Sequence, residues 1–306
     1  MISLIIPTFN KASRLSITLY YLTFIELHEK VELIIVNDGS TDKTIEIIEA
    51  YKKSIGENYF RDIKLINVLN GGRSYARNIG IQNATYEFLV FIDDDIIVSP
   101  GLIREYLKVL QNNYNYAIHG KIYGLPFVKF FDDPVTGQMK NTKYVTGILA
   151  SLKLQHYDTY DDLYNNYLKK NARLSEFEKT INYIYENSSL QDSKVRWLGL
   201  VGANFGIRKE VIQNVGGFDI HFGKEWGCED LDLGYRLYRS NVKFIYNNDA
   251  CVYHISHYRE NFEEEHKKNM GYFISKYQDK RLNIVSNYFE HNLSSSELLN
   301  NLLNIE

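Results

Sequence analysis

The sequence predicts an α/β fold: a mostly parallel central sheet with helices on both faces, followed by a helical C-terminal appendage. Two observations predict it. Four short runs dominated by apolar residues recur within the first 120 residues, without the strict alternation of a half-solvated sheet. Segments with apolar residues at helical spacing separate these runs, as crossover helices between parallel strands would. In order, Ile2–Ile6 is the first run and is ended by Pro7. Lys11 to Leu27 places Leu15, Leu19 and Leu22 at helical spacing. Val31–Val36 is the second run, stopped by Asn37-Asp38-Gly39-Ser40. Thr41 to Tyr51 is amphipathic, with Ser40 or Thr41 as its cap. Ile63–Val68 is the third run, and Ser74–Ile81 is a helix preceded by Gly71-Gly72. Phe88–Ile92 is the fourth and halts at Asp93-Asp94-Asp95; Pro100 then opens a helix that ends near Gln111.

The second half is less regular. Residues 121–155 read as irregular and 156–190 as helical. Apolar periodicity returns at Trp197–Val201. A helix over Lys209–Val215 ends in the turn Gly216-Gly217, and Glu229–Arg239 forms another. Val242–Tyr246 and Ala250–His254 read as two short strands. From Tyr258 the chain is helical and ends in an amphipathic segment with Leu298, Leu299, Leu302 and Leu303. The expected boundary lies near residue 258, with a compact domain over 1–257 and a helical tail over 258–306.

Composition narrows the function classes. The chain has 306 residues, 44% hydrophobic and 24% charged, with a formal net charge of −3. That supports a sizeable core and gives no basic excess for binding nucleic acid. No apolar run reaches the roughly 18–20 residues of a membrane span. The start, MISLIIPTFN, has neither a basic n-region nor a cleavage site. Cys228 and Cys251 form no disulfide framework. A cytoplasmic location is expected, with peripheral attachment to the inner face of the membrane as the variant.

Ligands in parallel sheets bind beyond the carboxyl ends of the strands. Those ends carry Pro7-Thr8-Phe9-Asn10, Asn37-Asp38-Gly39-Ser40 and Asp93-Asp94-Asp95. Three adjacent carboxylates repel one another, so the triplet is a solvated loop, a helix cap, or a holder of a divalent cation shared with phosphate oxygens. Glu229 and Asp230 open a helix, where acids are favoured by the helix dipole whatever their function. His254 ends a strand, a place that suits a structural hydrogen bond or a metal ligand.

Together these segments resemble the family 2 inverting glycosyltransferases of GT-A fold. PTFN, VNDGSTD, GGRSYARNIG and FIDDDI occur in that family's order. VGANFGIRKEVIQNVGGFD, WGCEDLDLGYRL and a strand ending in His254 resemble the galactosyltransferase and N-acetylgalactosaminyltransferase-like branch, bacterial capsule polymerases included. The resemblance covers roughly residues 1–257, and implies a nucleotide-binding half over 1–120 and an acceptor and catalytic half over 121–257.

It also implies roles. Pro7, Thr8 and Asn10 would line the nucleotide pocket, and Asp38 would bind the uracil or its ribose. Asn70, Gly72, Arg77 and Asn78 would contact the nucleotide or brace its loop. Asp93 and Asp95 are the two acids of a D-x-D motif around Asp94; Asp95 would bind the metal, and Asp93 the ribose and the metal shell. His254 would complete that shell, with His257 as competitor. Asn204 would hydrogen-bond the donor sugar above Gly202 and Ala203, and Trp226 would be a sugar platform or a core residue. Asp230 would be the general base, with Glu229 binding acceptor or donor, and Glu229 and Asp232 raising its basicity. Cys228 stands where the family often has glycine and would narrow the sugar pocket.

The implied cofactor is Mn²⁺ or Mg²⁺, neutralising a leaving diphosphate. The implied reaction is single-displacement transfer with inversion from a nucleotide sugar, UDP-linked by expectation, to a glycan, lipid-linked glycan or peptide. A nucleotidyltransferase would open with a Gly-rich basic phosphate loop, which PTFN-KASR is not. The alternative is an inactive transferase-like module that binds nucleotide or glycan. The leucine-rich end of the tail is not basic, so it suits packing on protein, a second copy included, better than on anionic lipid.

Overall fold

The computed structural model describes residues 1–55, 59–136, 138–139, 153–154 and 156–305. Its first half runs β1 (Ile2–Thr8), α1 (Ala12–Leu22), β2 (Val31–Asn37), α2 (Thr44–Ile55), β3 (Asp62–Asn67), α3 (Arg73–Asn83), β4 (Phe88–Ile92), β5 (Ile96–Val98), α4 (Leu102–Leu110) and β6 (Tyr116–Gly124). The second half contributes α5 (Glu176–Glu186), β7 (Asn204–Arg208), α6 (Lys209–Asn214), α7 (Glu229–Arg239), β8 (Lys243–His254), α8 (Phe262–Tyr277), α9 (Lys280–Phe289) and α10 (Ser295–Leu303). A two-stranded ribbon joins Phe131–Asp133 to Gln138–Met139. Of the stretch expected to be irregular, 140–152 lies outside the described residues.

Eight strands make one sheet in the order β3-β2-β1-β4-β7-β6-β8-β5. β1 pairs in parallel with β2 and β4, and β2 with β3. β7 lies antiparallel between β4 and β6, and β8 runs parallel to β6. Two antiparallel steps restore the direction, so β8 ends at the same sheet edge as β1, β2 and β4. That is why His254 reaches the acidic triplet. Edge strand β5 pairs antiparallel with β8, setting His254 opposite Ile96, and the Ile255 amide donates to the Asp95 carbonyl at 2.7 Å.

Both sheet faces are buried. Along β1, Leu4 and Ile6 point to a core shared with Leu15, Leu19 and Leu22 of α1, while Ile5 points to a core with Ala76 and Ile81 of α3. The polar exceptions in the strands are paired: buried Ser3 donates to Glu32 at 2.5 Å, and Lys64 meets Glu32 at 2.7 Å. Met270 and Phe273 of α8, Leu282 and Val285 of α9, and Leu298, Leu299 and Leu302 of α10 belong to the same apolar cluster as Ile5 and Phe91. A capping box between Ser294 and Glu297 starts α10.

Two expectations are corrected. β6 occupies part of the stretch read as irregular; its polar His119, Gly120 and Lys121 hide the strand pattern. β8 is one strand with an irregularity between Asn247 and Val252, where two strands were expected. Where apolar periodicity returns, Trp197–Gly199 is a 3₁₀ turn, and β7 begins at Asn204.

Candidate active site

A cavity of about 1350 Å³ opens at the carboxyl ends of β1, β2, β4 and β8. Pro7, Thr8, Asp38, Asn70, Gly72, Arg77, Asp93, Asp94, Asp95, Trp226, Glu229, Asp230, His254 and His257 all line it. Segments scattered over more than 240 positions of sequence therefore share one hollow.

The β2 turn carries Asp38, which accepts from the amides of Gly71 at 2.8 Å and Gly72 at 2.9 Å. Burial pushes its carboxyl upward, and the two amides partly offset that. Asp38 thereby shapes the entry to α3 while facing the cavity. Gly72 sits at φ 90, and a Cβ there would stand 2.1 Å from the carbonyl oxygen of Gly223. No other residue fits so close an approach. Asn10 does not line the cavity; at φ 51, its side-chain oxygen accepts from the amides of Thr41 at 2.7 Å and Asp42 at 3.3 Å. Its pocket-lining role is corrected to that of a clamp between the first two strand ends.

The acidic triplet divides its partners. Asp93 accepts from Arg77 at 2.9 Å. Asp94 accepts from the Thr8 hydroxyl at 2.6 Å, and burial pushes its carboxyl up to about 7 despite Lys11. Asp95 meets His254 at 3.2 Å, His257 at 3.3 Å and Lys11 at 3.2 Å. Burial favours its neutral form, but His254 and Lys11 outweigh burial and hold the carboxyl well below the usual range. Ligand atoms of Asp95, His254 and His257 lie within 4.8 Å of one another. One carboxylate oxygen and two imidazole nitrogens are a donor set that a divalent first-row cation accepts, so the residues fit the implied metal. Asp93 stands outside this group, turned to Arg77, and both histidines belong to it.

Across the cavity, Gly227 at φ 105 and Cys228 at φ 69 turn the chain into α7 and present Glu229 and Asp230. Arg77 is 2% exposed and bonds Asp230 at 3.2 Å and Glu229 at 3.4 Å as well as Asp93. Burial pushes the Asp230 carboxyl up to about 7; Arg77 lowers it, and Glu229 and Asp93 raise it. Glu229 goes the other way: burial would raise it, but Arg73 and Arg77 bring it below its ordinary value. Asp232 plays no part here, being fully buried and tied to Arg236 at 2.7 Å and Lys276 at 2.6 Å.

Two further expectations are corrected. Asn204 is fully buried and spends its amide on Tyr106, Lys121 and Ala250, so it cannot meet a sugar; Ala203 lines the cavity instead. Cys228 packs into the apolar core and leaves the sugar pocket unnarrowed. Asn78 also works as a brace, exchanging two hydrogen bonds with the Phe218 backbone at 2.7 and 2.8 Å. Trp226 lines the cavity, with its ring 4.3 Å from Phe262 and 5.7 Å from the Arg259 guanidinium.

Sequence reasoning missed the cations Lys11, Arg73, Lys224 and Arg259, all of which line the cavity. Lys11 follows PTFN directly and Arg259 follows His257 by two residues, but isolated cations carry no pattern of their own. Phe177 and Glu178 of α5 also line it, beneath β6, and nothing in their helix announced this.

Comparison with known proteins agrees with this geometry. Residues 3–216 match glycosyl transferase family 2, and residues 184–260 match the N-terminal domain of galactosyltransferase. The chain is 25% identical over 288 residues to the uncharacterized glycosyltransferase YfnE of Bacillus subtilis strain 168, covering 91% of this chain and 71% of that protein. It is 29% identical over 260 residues to a hyaluronan synthase of Pasteurella multocida, covering 83% of this chain and 24% of the synthase. The chain thus spans about a quarter of that relative's length. Among solved structures, GalNAc-T7 with UDP, GalNAc and Mn²⁺ superimposes with TM-score 0.59 at 16% identity, over 92% of this chain and 48% of that one. TarS 1–349 of S. aureus with UDP-GlcNAc gives TM-score 0.56 at 19% identity, over 99% and 71%. These neighbours have the GT-A fold, and with the family match running through the strand ends that line the cavity, the chain belongs to glycosyl transferase family 2.

Proposed function

We propose that the chain moves a sugar from a UDP-sugar to a hydroxyl of a growing glycan, by single displacement with inversion and with a bound divalent cation. The observation that carries this is that Asp95, His254 and His257, their ligand atoms clustered within 4.8 Å, line the same cavity as Asp230. At about 1350 Å³ the cavity exceeds the roughly 300–1,000 Å³ of a single small-molecule site, which suits a donor and an acceptor together.

Thr8, Asp38 and the Asn70–Gly72 loop lie where the nucleotide would rest. Asp95, His254 and His257 would hold the cation, which supplies Lewis-acid neutralisation of the leaving diphosphate. Lys11, Arg73, Lys224 and Arg259 add positive charge to the same cavity. Asp230 takes the proton of the acceptor hydroxyl as that oxygen bonds to the anomeric carbon, and the bond from that carbon to the diphosphate oxygen breaks. A carboxyl near 7 is a stronger base than an ordinary aspartate and is about half ionised at neutral pH, so a substantial fraction is ready to accept the proton. Because no enzyme group bonds to the sugar, the anomeric configuration inverts. Trp226, which lines the cavity beside Phe262 and Arg259, would pack against a sugar ring. The synthases among the relatives, one of which is named for hyaluronan, support a glycan as acceptor.

A panel of UDP- and GDP-sugars, scored for hydrolysis with and without Mn²⁺ and without acceptor, tests the reading. Metal-stimulated release of UDP from one UDP-sugar is expected. UDP binding with no donor turnover anywhere in the panel would leave only a binding module.

A further inference from the structure

Arg77 is the most enclosed cation of the site, and it touches every carboxylate that faces Asp230. Its Nη2 donates to Asp93 at 2.9 Å, and its Nη1 donates to Asp230 at 3.2 Å and Glu229 at 3.4 Å. The guanidinium lies 5.1 Å from the ring centre of Phe218, which Asn78 holds by its backbone. Glu229 is held a second time by Arg73, at 3.2 Å. The fork therefore cannot turn without breaking contacts on both walls.

Gly202 completes the arrangement. A Cβ at this position would stand 2.5 Å from Asp230 Oδ1 and 2.6 Å from Arg77 Cζ. The absence of a side chain lets the arginine and the aspartate meet there. The groups facing Asp230 are thus Arg77 from α3, Glu229 from its own helix, Asp93 from the end of β4 and the backbone of Gly202 ahead of β7.

We propose that Arg77 is a positioning residue for the transfer: anchored to Asp93 on the donor wall, its guanidinium fixes where Asp230 stands relative to the donor and keeps that carboxylate charged. This rests on Asp230 being the base. A rigid planar fork spans two carboxylates, and an ammonium does not. A shift of about 1 Å in a reacting group is enough to cost ~100-fold in rate.

The test uses the full chain, the UDP- or GDP-sugar it hydrolyses fastest, and the variants R77K, R77M, G202A and D230N. R77K and G202A are expected to lose at least ~100-fold in kcat, with KM for donor and Kd for UDP with Mn²⁺ moving less than about threefold. In R77M the acid limb of the kcat/KM profile is expected to move to higher pH by ~1 unit or more, because the cation favouring the ionised form is gone. A purely structural arginine would change melting temperature and leave that limb in place. Should the Arg77 variants not fold, G202A decides alone, since it keeps every charge and displaces only the Arg77 guanidinium and the Asp230 carboxylate. The proposal is overturned if R77K or G202A keeps kcat within about tenfold of the parent. It is also overturned if UDP affinity falls while kcat holds, which would make Arg77 a donor-binding group. Near-parental turnover by D230N removes the base reading itself, whatever the arginine variants do.

Discussion

Asp230 and Asp95 carry opposite burdens, although both are aspartates in one cavity. Burial pushes the first up to about 7, while His254 and Lys11 hold the second ionised. Asp230→Asn should keep Mn²⁺-dependent UDP binding and lose roughly 10²–10⁴-fold in transfer, measured by calorimetry and by donor turnover. The pH dependence has a definite sign. The base works deprotonated, so kcat/KM should stand at half its plateau near about 7 and fall further below it as Asp230 takes up a proton. A profile flat down to pH 5 would exclude Asp230. His257→Ala and Asp95→Ala should each weaken Mn²⁺ binding, read directly from the Mn²⁺ electron paramagnetic resonance spectrum without any turnover. Unchanged affinity in His257→Ala would leave His254 and Asp95 as the cation's only protein ligands from this group. The motif residues Asp38, Asp93, Asp95, Asp230 and His254 were legible in sequence because each stands at the end of a strand or the start of a helix. Asn204, within β7, was not: the sequence names an amide but does not say that Tyr106 and Ala250 consume it.

At the scale of elements, the entry to α3 and the turn into α7 are the parts that bring the two walls together. Gly72 touches the carbonyl of Gly223, so a change in one loop moves the other. Gly72→Ala places a Cβ both at positive φ and against backbone; it should lower stability by more than about 1 kcal/mol and weaken UDP binding, checked by thermal melting and calorimetry. The apolar runs of β1, β2 and β4 declared themselves because both faces of those strands are covered. β5 and β6 did not: β5 has three residues, and β6 carries polar groups such as His119, stacked on Tyr246 and paired with Glu178 inside the molecule. Their strand character comes from neighbours in the sheet, not from their own pattern.

For the molecule as a whole, the three C-terminal helices complete the core beneath helix α7, which carries Glu229 and Asp230. Leu298, Leu299 and Leu302 pack into the cluster that also holds Leu233 and Leu237. Leu302→Ala should therefore cost about 2–5 kcal/mol in denaturant unfolding, as removal of a fully buried leucine does. Among the described residues, no helix is long and apolar enough to cross a membrane. What the sequence by itself determined was the chemistry at the strand ends: alternating apolar runs and helices force a parallel arrangement, and such an arrangement gathers its polar turns along one edge. Only the tertiary structure decided which of those groups meet. The pairing of Asp95 with both His254 and His257, and of Arg77 with Asp93 and Asp230, depends on two antiparallel strand pairings and on a glycine without a side chain to intervene. Contacts between residues so far apart in the chain are set by packing, which local pattern does not record.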